Sequence, residues 1–260
     1  MLTVQSQDGT TIAYDTLGSG PALIYITGAI CHRNFQPIRD DVKAFASAFT
    51  VYNYDRRGRG DSTDTQPYSI EKEVEDLEAL IDAAGGKAFL YGHSSGAALA
   101  LEAALRLGKK VKKVALYDAP YVESKEAKKK YELVNQEVEQ LLQQGKNKQA
   151  LFRFLSGIGM PKVFIYLLPF MPGWGSMLKL APTLMYDIEL TKDLPPLKRA
   201  GKVTTPVLVL SGEKSPPELR VVADQLAAAI PQAQRISVPR QNHMVSAKAL
   251  MPLFTEFFLK

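Results

Sequence analysis

The chain has 260 residues, nearly half apolar and under a quarter charged, which suits one large domain, with or without an insertion, around a sizeable core. Its formal net charge of +5 rests largely on lysine runs at 108–113 and 125–130. These runs are short and lack interleaved aromatics, so solvated helix faces are expected rather than a nucleic-acid surface, and the longest apolar run, 163–172, is too short to span a bilayer.

The opening, MLTVQSQDGTTIAYDTLG, has neither a basic nor an apolar leader region, so a cytoplasmic protein is expected. Asp8-Gly9 between two alternating runs predicts a hairpin. Short apolar runs at 22–27 and 48–54 predict strands buried on both faces. Cys31, the only cysteine, excludes an intrachain disulfide. Ile70, Val74, Leu77, Leu80 and Ile81 recur at helical spacing, and the pattern closes on Gly85-Gly86. A strand at 87–92, an Ala/Leu helix at 95–108 and a strand at 111–118 follow. Far downstream come a strand at 205–211, a helix from about residue 216 to about 229, a strand at 233–239 and a last helix. This alternation predicts an α/β fold with a parallel sheet covered on both faces.

Between 121 and 202 no strand-like run occurs. Tyr131, Val134, Val138, Leu141 and Leu142 share one helical face, and the later residues mix apolar runs with Pro and Gly. The division that follows is a core domain of 1–120 and 203–260 and a helical insertion of 121–202.

Residues 90–96 read LYGHSSG and contain G-x-S-x-G between a predicted strand and a predicted helix. A sharp strand-to-helix turn strains the central residue, Ser94, and lifts its hydroxyl clear of the sheet. The helix start behind it supplies free N–H groups for an oxyanion. A serine nucleophile needs a base, and there are three histidines. His93 lies inside the turn and His32 in an early loop. His243 follows the last strand, at the carboxyl ends where Ser94 also projects, and is the candidate.

The chain resembles the α/β-hydrolase fold family. The resemblance rests on the GHSSG turn, on YDRRGRGDS at 54–62 and on QNHM near the end, and spans nearly the whole chain, the insertion matching only in place and helical character. It implies an eight-stranded, mostly parallel sheet, a lid inserted after the sixth strand, Ser, acid and His in that order, and no cofactor; no metal site is expected. Within YDRRGRGDS, the Arg59-Gly60-Asp61 triplet matches a structural turn of the family in which Asp55 and Arg57 brace the loop and Gly58 and Gly60 tighten it, so an adhesion motif is not expected. The oxyanion loop departs from the family's usual His-Gly pair and reads Thr27-Gly28; the backbone N–H groups of Ala29 and Ser95 are the expected donors.

The acid is the open question. The family usually carries it just past the seventh strand, where this chain has Ser215. In SPPE, Ser215 is predicted as a helix N-cap, with Pro216 in the first helical position and Glu218 completing a capping box. Asp118, at the end of the strand preceding the insertion, is the leading candidate, since neighbouring parallel strands lie about 4.8 Å apart and an acid on either could reach one imidazole. Glu213 is the alternative, and loss of the acid a third reading. The expected function is a serine hydrolase of a small, largely apolar ester or related acyl compound, with C–C bond hydrolysis or perhydrolase-type chemistry as variants. A non-catalytic small-molecule-binding protein is the competing class. Phe152, Phe154, Phe164, Tyr166, Phe170, Met171, Trp174, Met177 and Met185 either roof an apolar pocket or pack the insertion onto the core.

Overall fold

A computed structural model describes every residue from Met1 to Lys260. The chain opens with the hairpin β1 (Leu2–Gln5) and β2 (Thr11–Leu17), closed by the Ser6 N–H on the Thr10 carbonyl, with Gly9 at φ +82° in a conformation that side chains disfavour. Then come β3 (Ala22–Ile26), α1 (Gln36–Phe45), β4 (Thr50–Tyr54), α2 (Ile70–Ala83), β5 (Ala88–His93), α3 (Ser95–Leu107) and β6 (Val111–Tyr117). Residues 125–200 hold six helices and no strand: α4 (Lys125–Gln143), α5 (Asn147–Gly157), α6 (Lys162–Leu167), α7 (Trp174–Lys179), α8 (Leu184–Thr191) and α9 (Leu197–Ala200). β7 (Val207–Gly212), α10 (Pro217–Ala229), β8 (Ala233–Val238) and α11 (Ala247–Leu259) complete the chain.

The strands form one eight-stranded sheet in the order β1-β2-β4-β3-β5-β6-β7-β8. β1 and β2 are antiparallel to each other, and β2 to β4; every other pairing is parallel. Parallel pairing requires crossovers, and these place helices on both faces. Side chains accordingly alternate between two cores: Ile24, Ile26 and Leu90 face α2, α3 and α10, while Leu23, Tyr25, Phe89 and Tyr91 face α1 and α11. The sequence pattern did not announce α1. Its buried positions, Ile38, Val42 and Phe45, are diluted by four charges in ten residues, and Ala46 to Ala48 blur its end.

The helices after β6 build a third, smaller core. Val134 and Val138 of α4 pack with Ala150, Leu151 and Leu155 of α5, joined by Ile165, Leu184 and Ile188. α8 rests on the body of the protein, where Tyr186 stacks flat on Tyr68 at 4.0 Å between ring centroids. No helix is long and apolar enough to cross a membrane.

Phe254 of α11 is fully buried and stacks against Phe45 of α1 at 5.3 Å. Truncating such a ring removes its contacts and leaves a cavity. Phe254→Ala is expected to cost about 3–5 kcal/mol, read from urea unfolding with an unchanged m-value.

Candidate active site

The turn from β5 into α3 is as sharp as the glycines allow. Ser94 sits at φ 57°, ψ −130°, a strained conformation for a residue with a side chain. A Cβ on Gly96 would overlap the Ile26 carbonyl, and one on Gly92 would run into the Gly96 backbone. Ser94 is tied down on one side by its N–H on the Tyr117 carbonyl at 2.9 Å and on the other by its own carbonyl, which accepts from the Ala97 N–H at 2.8 Å. The loop after β3 closes over it: a Cβ on Gly28 would stand 2.9 Å from Ser94 Cβ and 3.4 Å from its Oγ. The next residue, Ala29, finds no acceptor for its N–H among the loop hydrogen bonds. Ser95, first residue of α3, has no carbonyl one turn back to bond. Two unengaged amides thus flank Ser94.

Asp118, one residue past β6, is fully buried, at φ 49°, with its N–H on the Leu210 carbonyl of β7 at 3.0 Å. Its Oδ2 lies 3.1 Å from His243 Nδ1 and accepts a hydrogen bond from the Ser215 hydroxyl at 2.6 Å. Ser215 therefore does not cap a helix. α10 begins at Pro217, its N-cap position is Pro216, and no side chain caps it. The Ser215 hydroxyl instead accepts the Gly212 N–H at 3.0 Å and turns inward to the carboxylate, because a buried Asp118 needs donors more than a solvated helix end does. Glu213 is turned the other way and accepts from the Arg240 N–H at 2.7 Å.

His243 hangs on two anchors from the sheet. The Tyr117 hydroxyl donates to the Asn242 carbonyl at 2.6 Å, and His93 Nε2 lies 2.8 Å from the His243 carbonyl. The two imidazoles are 5.0 Å apart. No hydrogen bond joins Ser94 to His243. His32 stands apart, beside Phe35. Burial pushes the Cys31 thiol up to about 11, which keeps it protonated and a poor nucleophile. No grouping of His, Cys, Asp and Glu is suited to a metal ion.

A family model described as the alpha/beta hydrolase family matches residues 11–249. The chain belongs to that family. A crystal structure of an alpha/beta hydrolase from Sphaerobacter thermophilus is 37% identical, with a TM-score of 0.88 over 99% of this chain and 100% of that one. An enol-lactonase from Burkholderia xenovorans superposes with a TM-score of 0.72 at 19% identity, covering 100% of both chains. A meta-cleavage product hydrolase from Pseudomonas fluorescens does so with a TM-score of 0.69 at 18% identity, over 100% of this chain and 97% of that one. The last two show the fold; the family match and the 37% relative make this chain a hydrolase.

In this hydrolase the YDRRGRGDS turn is held from within. Asp55 accepts from the Arg33 N–H at 2.6 Å, the Arg33 guanidinium at 2.5 Å and the Asp61 N–H at 2.9 Å, and Arg57 forks onto Asp76 at 2.7 Å. Arg59 is fully buried, so the Arg-Gly-Asp triplet is not displayed to a receptor. Sequence reasoning missed the charges gathered here: Arg33, Arg56, Arg59, Glu73 and, from α8, Asp187. The available signal was Asp187 itself, an acid set in the apolar run LMYDIEL. Of the aromatic and Met residues of 121–202, Phe152, Phe154, Trp174, Met177 and Met185 pack on that segment's own core, while Phe164, Tyr166, Phe170 and Met171 are more than half exposed.

Burial, and then the neighbouring His243, lower the His93 pKa to about 4 from the ordinary 6.5. Between those values the unfolded chain binds a proton that the folded chain refuses, so this group's contribution to stability falls as pH drops from 6.5 toward 4. Asp41 and Asp76, raised by burial to about 6, act in the opposite sense. His93→Gln keeps a donor toward the His243 carbonyl and does not titrate. The stability difference between wild type and this variant is expected to shift toward the variant on going from about pH 7 to about pH 4.5, measured by urea unfolding.

Proposed function

We propose that this hydrolase is a serine enzyme that cleaves a small, largely apolar ester or related acyl compound through an acyl-enzyme on Ser94. The observation that carries the reading is the pairing of His243 Nδ1 with the buried Asp118 carboxylate at 3.1 Å, beside a serine in a strained strand-to-helix turn. With Nδ1 held by the carboxylate, Nε2 is the nitrogen free to accept the Ser94 proton. Ser94 Oγ would attack the carbonyl carbon, and the oxyanion would settle against the Ala29 and Ser95 amides. His243 would hand the proton to the leaving alcohol; it would then take one from the water that attacks the acyl carbon and return it to Ser94 Oγ as the C–Oγ bond breaks and the acid leaves. Asp118 holds the tautomer and balances the imidazolium, while the Ser215 hydroxyl holds Asp118. A serine nucleophile disfavours the routes of this fold that use an aspartate.

Residues 121–202 would serve as the cap over this centre, on a core of 1–120 and 203–260. The enol-lactonase and the meta-cleavage product hydrolase of the same fold keep lactone opening and C–C cleavage as variants of the chemistry. The competing reading, an inert binding protein, drew its support from the serine at 215; the Asp118 carboxylate 3.1 Å from His243 Nδ1 weighs against it.

Two experiments test the proposal. Ser94→Ala is expected to abolish both labelling by a fluorophosphonate probe and turnover of p-nitrophenyl esters graded by acyl length, with an unchanged melting temperature. Labelling that persists in the variant would sink the assignment of the nucleophile. Asp118→Asn is expected to lower kcat on the order of 10⁴-fold with little change in KM, because it holds the wrong tautomer. Glu213→Gln should leave kcat near wild type; the reverse pattern would hand the role to Glu213.

A further inference from the structure

The two proposed oxyanion donors lie on separate elements, the loop after β3 and the start of α3, and one carboxylate from α8 reaches both. Asp187 Oδ2 accepts from the Arg59 guanidinium at 2.7 Å, and another nitrogen of that guanidinium donates to the Gly28 carbonyl at 2.7 Å. Asp187 Oδ1 accepts from the Ser95 hydroxyl at 2.7 Å and from Arg56 at 2.7 Å. Arg56 is in turn forked onto Glu73 at 2.5 and 2.9 Å. All five polar side chains, Asp187, Arg56, Arg59, Glu73 and Ser95, are at most 2% exposed.

Two properties of the peptide group give this arrangement a use. The Gly28 carbonyl and the Ala29 N–H belong to one planar trans peptide and point in opposite directions. A donor fixed on that carbonyl therefore aims the N–H on the other side. Likewise, a hydroxyl pinned at Ser95 fixes the residue whose own N–H is the second donor. Two arginines and two carboxylates balance the buried charge. Burial pushes the Asp187 carboxyl up, but Arg59 first and then Arg56 outweigh it and hold the group below its ordinary value, so it stays ionised.

We infer that Asp187 is a positioning residue: from the helical segment it sets the direction and spacing of the Ala29 and Ser95 N–H groups, through Arg59 on one side and the Ser95 hydroxyl on the other. The inference rests on the serine-hydrolase reading. It makes part of the oxyanion site a property of the segment after β6 and not of the sheet alone. The arginines at 56 and 59 then have a task in the chemistry.

The test uses Asp187→Asn, which keeps the shape and removes the charge, and the charge-balanced pair Asp187→Asn/Arg59→Met in case the single variant does not fold. With p-nitrophenyl butyrate, kcat is expected to fall by about 10²-fold in either variant, with KM within about threefold, as a misaimed catalytic group does. The rate of fluorophosphonate labelling should fall in parallel. Amide hydrogen exchange in a peptide covering residues 27–34 should quicken, while β5 peptides stay protected. The inference is overturned by a folded Asp187→Asn that loses melting temperature but keeps kcat, by unchanged exchange at 27–34, or by a double variant that regains wild-type kcat, which would make the effect one of charge balance. A wild type that neither labels at Ser94 nor turns over ester would take down the serine-hydrolase reading and this inference together; a labelling wild type with an unaffected variant removes this inference alone.

Discussion

The parallel alignment of β5, β6, β7 and β8 decides where chemistry can occur in this molecule. Parallel strands end at one edge, so the residues that follow them gather there whatever their distance in sequence. Ser94 follows β5, Asp118 follows β6, Ser215 follows β7 and His243 follows β8. The ladder also runs past the strands, with the Ser94 N–H on Tyr117 and the Asp118 N–H on Leu210. The backbone that carries each of these side chains is thus bonded to the backbone that carries the next. Distances of a few ångströms between side chains inherit their constancy from that ladder, and the strain at Ser94 and Asp118 is sustained by it.

Around this edge the protein buries an unusual amount of charge. Arg33, Arg56, Arg57 and Arg59 are each at most 4% exposed, and each is engaged by carboxylates. Desolvating so many ions is costly, and a well-packed apolar cluster could be at least as stable. What charged forks add is direction. A guanidinium bonded to a carboxylate and a carbonyl has few alternative geometries, whereas aliphatic side chains can repack. The trade is sensible next to a loop, 27–33, that lies outside any helix or strand and presses a glycine against Ser94.

Much of this could be read from the chain itself. Strand, G-x-S-x-G and helix in succession predicted the strand-to-helix turn at Ser94 that the structure has, and the position of His243 after the last strand set it apart from His32 and His93 as the candidate base. These signals are local, because they depend on periodicity and on glycine at a crowded turn. The partner of His243 could be narrowed to a pair of strand ends only, since register between β6 and β7 is a long-range matter. The role of Ser215 was misread for the same reason: SPPE satisfies every local rule for a helix start, and only the buried Asp118 carboxylate, far away in sequence, overrides them. Arg56 and Arg59 were out of reach because a buried ion network leaves no periodic trace; they look like ordinary surface charges until the fold brings them together, and only Asp187, an acid in an apolar run, stood out. The short helices α6 to α9 were equally obscure, since each has only four to eight residues, too few to show a helical period, and none has a side-chain cap.

The hydrogen bond between Ser215 and Asp118 also bears on how such a site could change over evolutionary time. An aspartate at 215 would bring a second carboxylate to within a hydrogen bond of the first, and two carboxylates so placed cannot both ionise at neutral pH. One would hold a proton, and the field at His243 would change with it. A lineage carrying its acid after β6 and one carrying it after β7 are therefore separated by two substitutions with an unfavourable intermediate on either path. The intermediate with both acids is electrostatically frustrated, and the intermediate with neither leaves the imidazole unsupported. In the proposed reading, with Asp118 as the acid, the serine that fills the slot at 215 suits that placement alone, which would make the two positions epistatic.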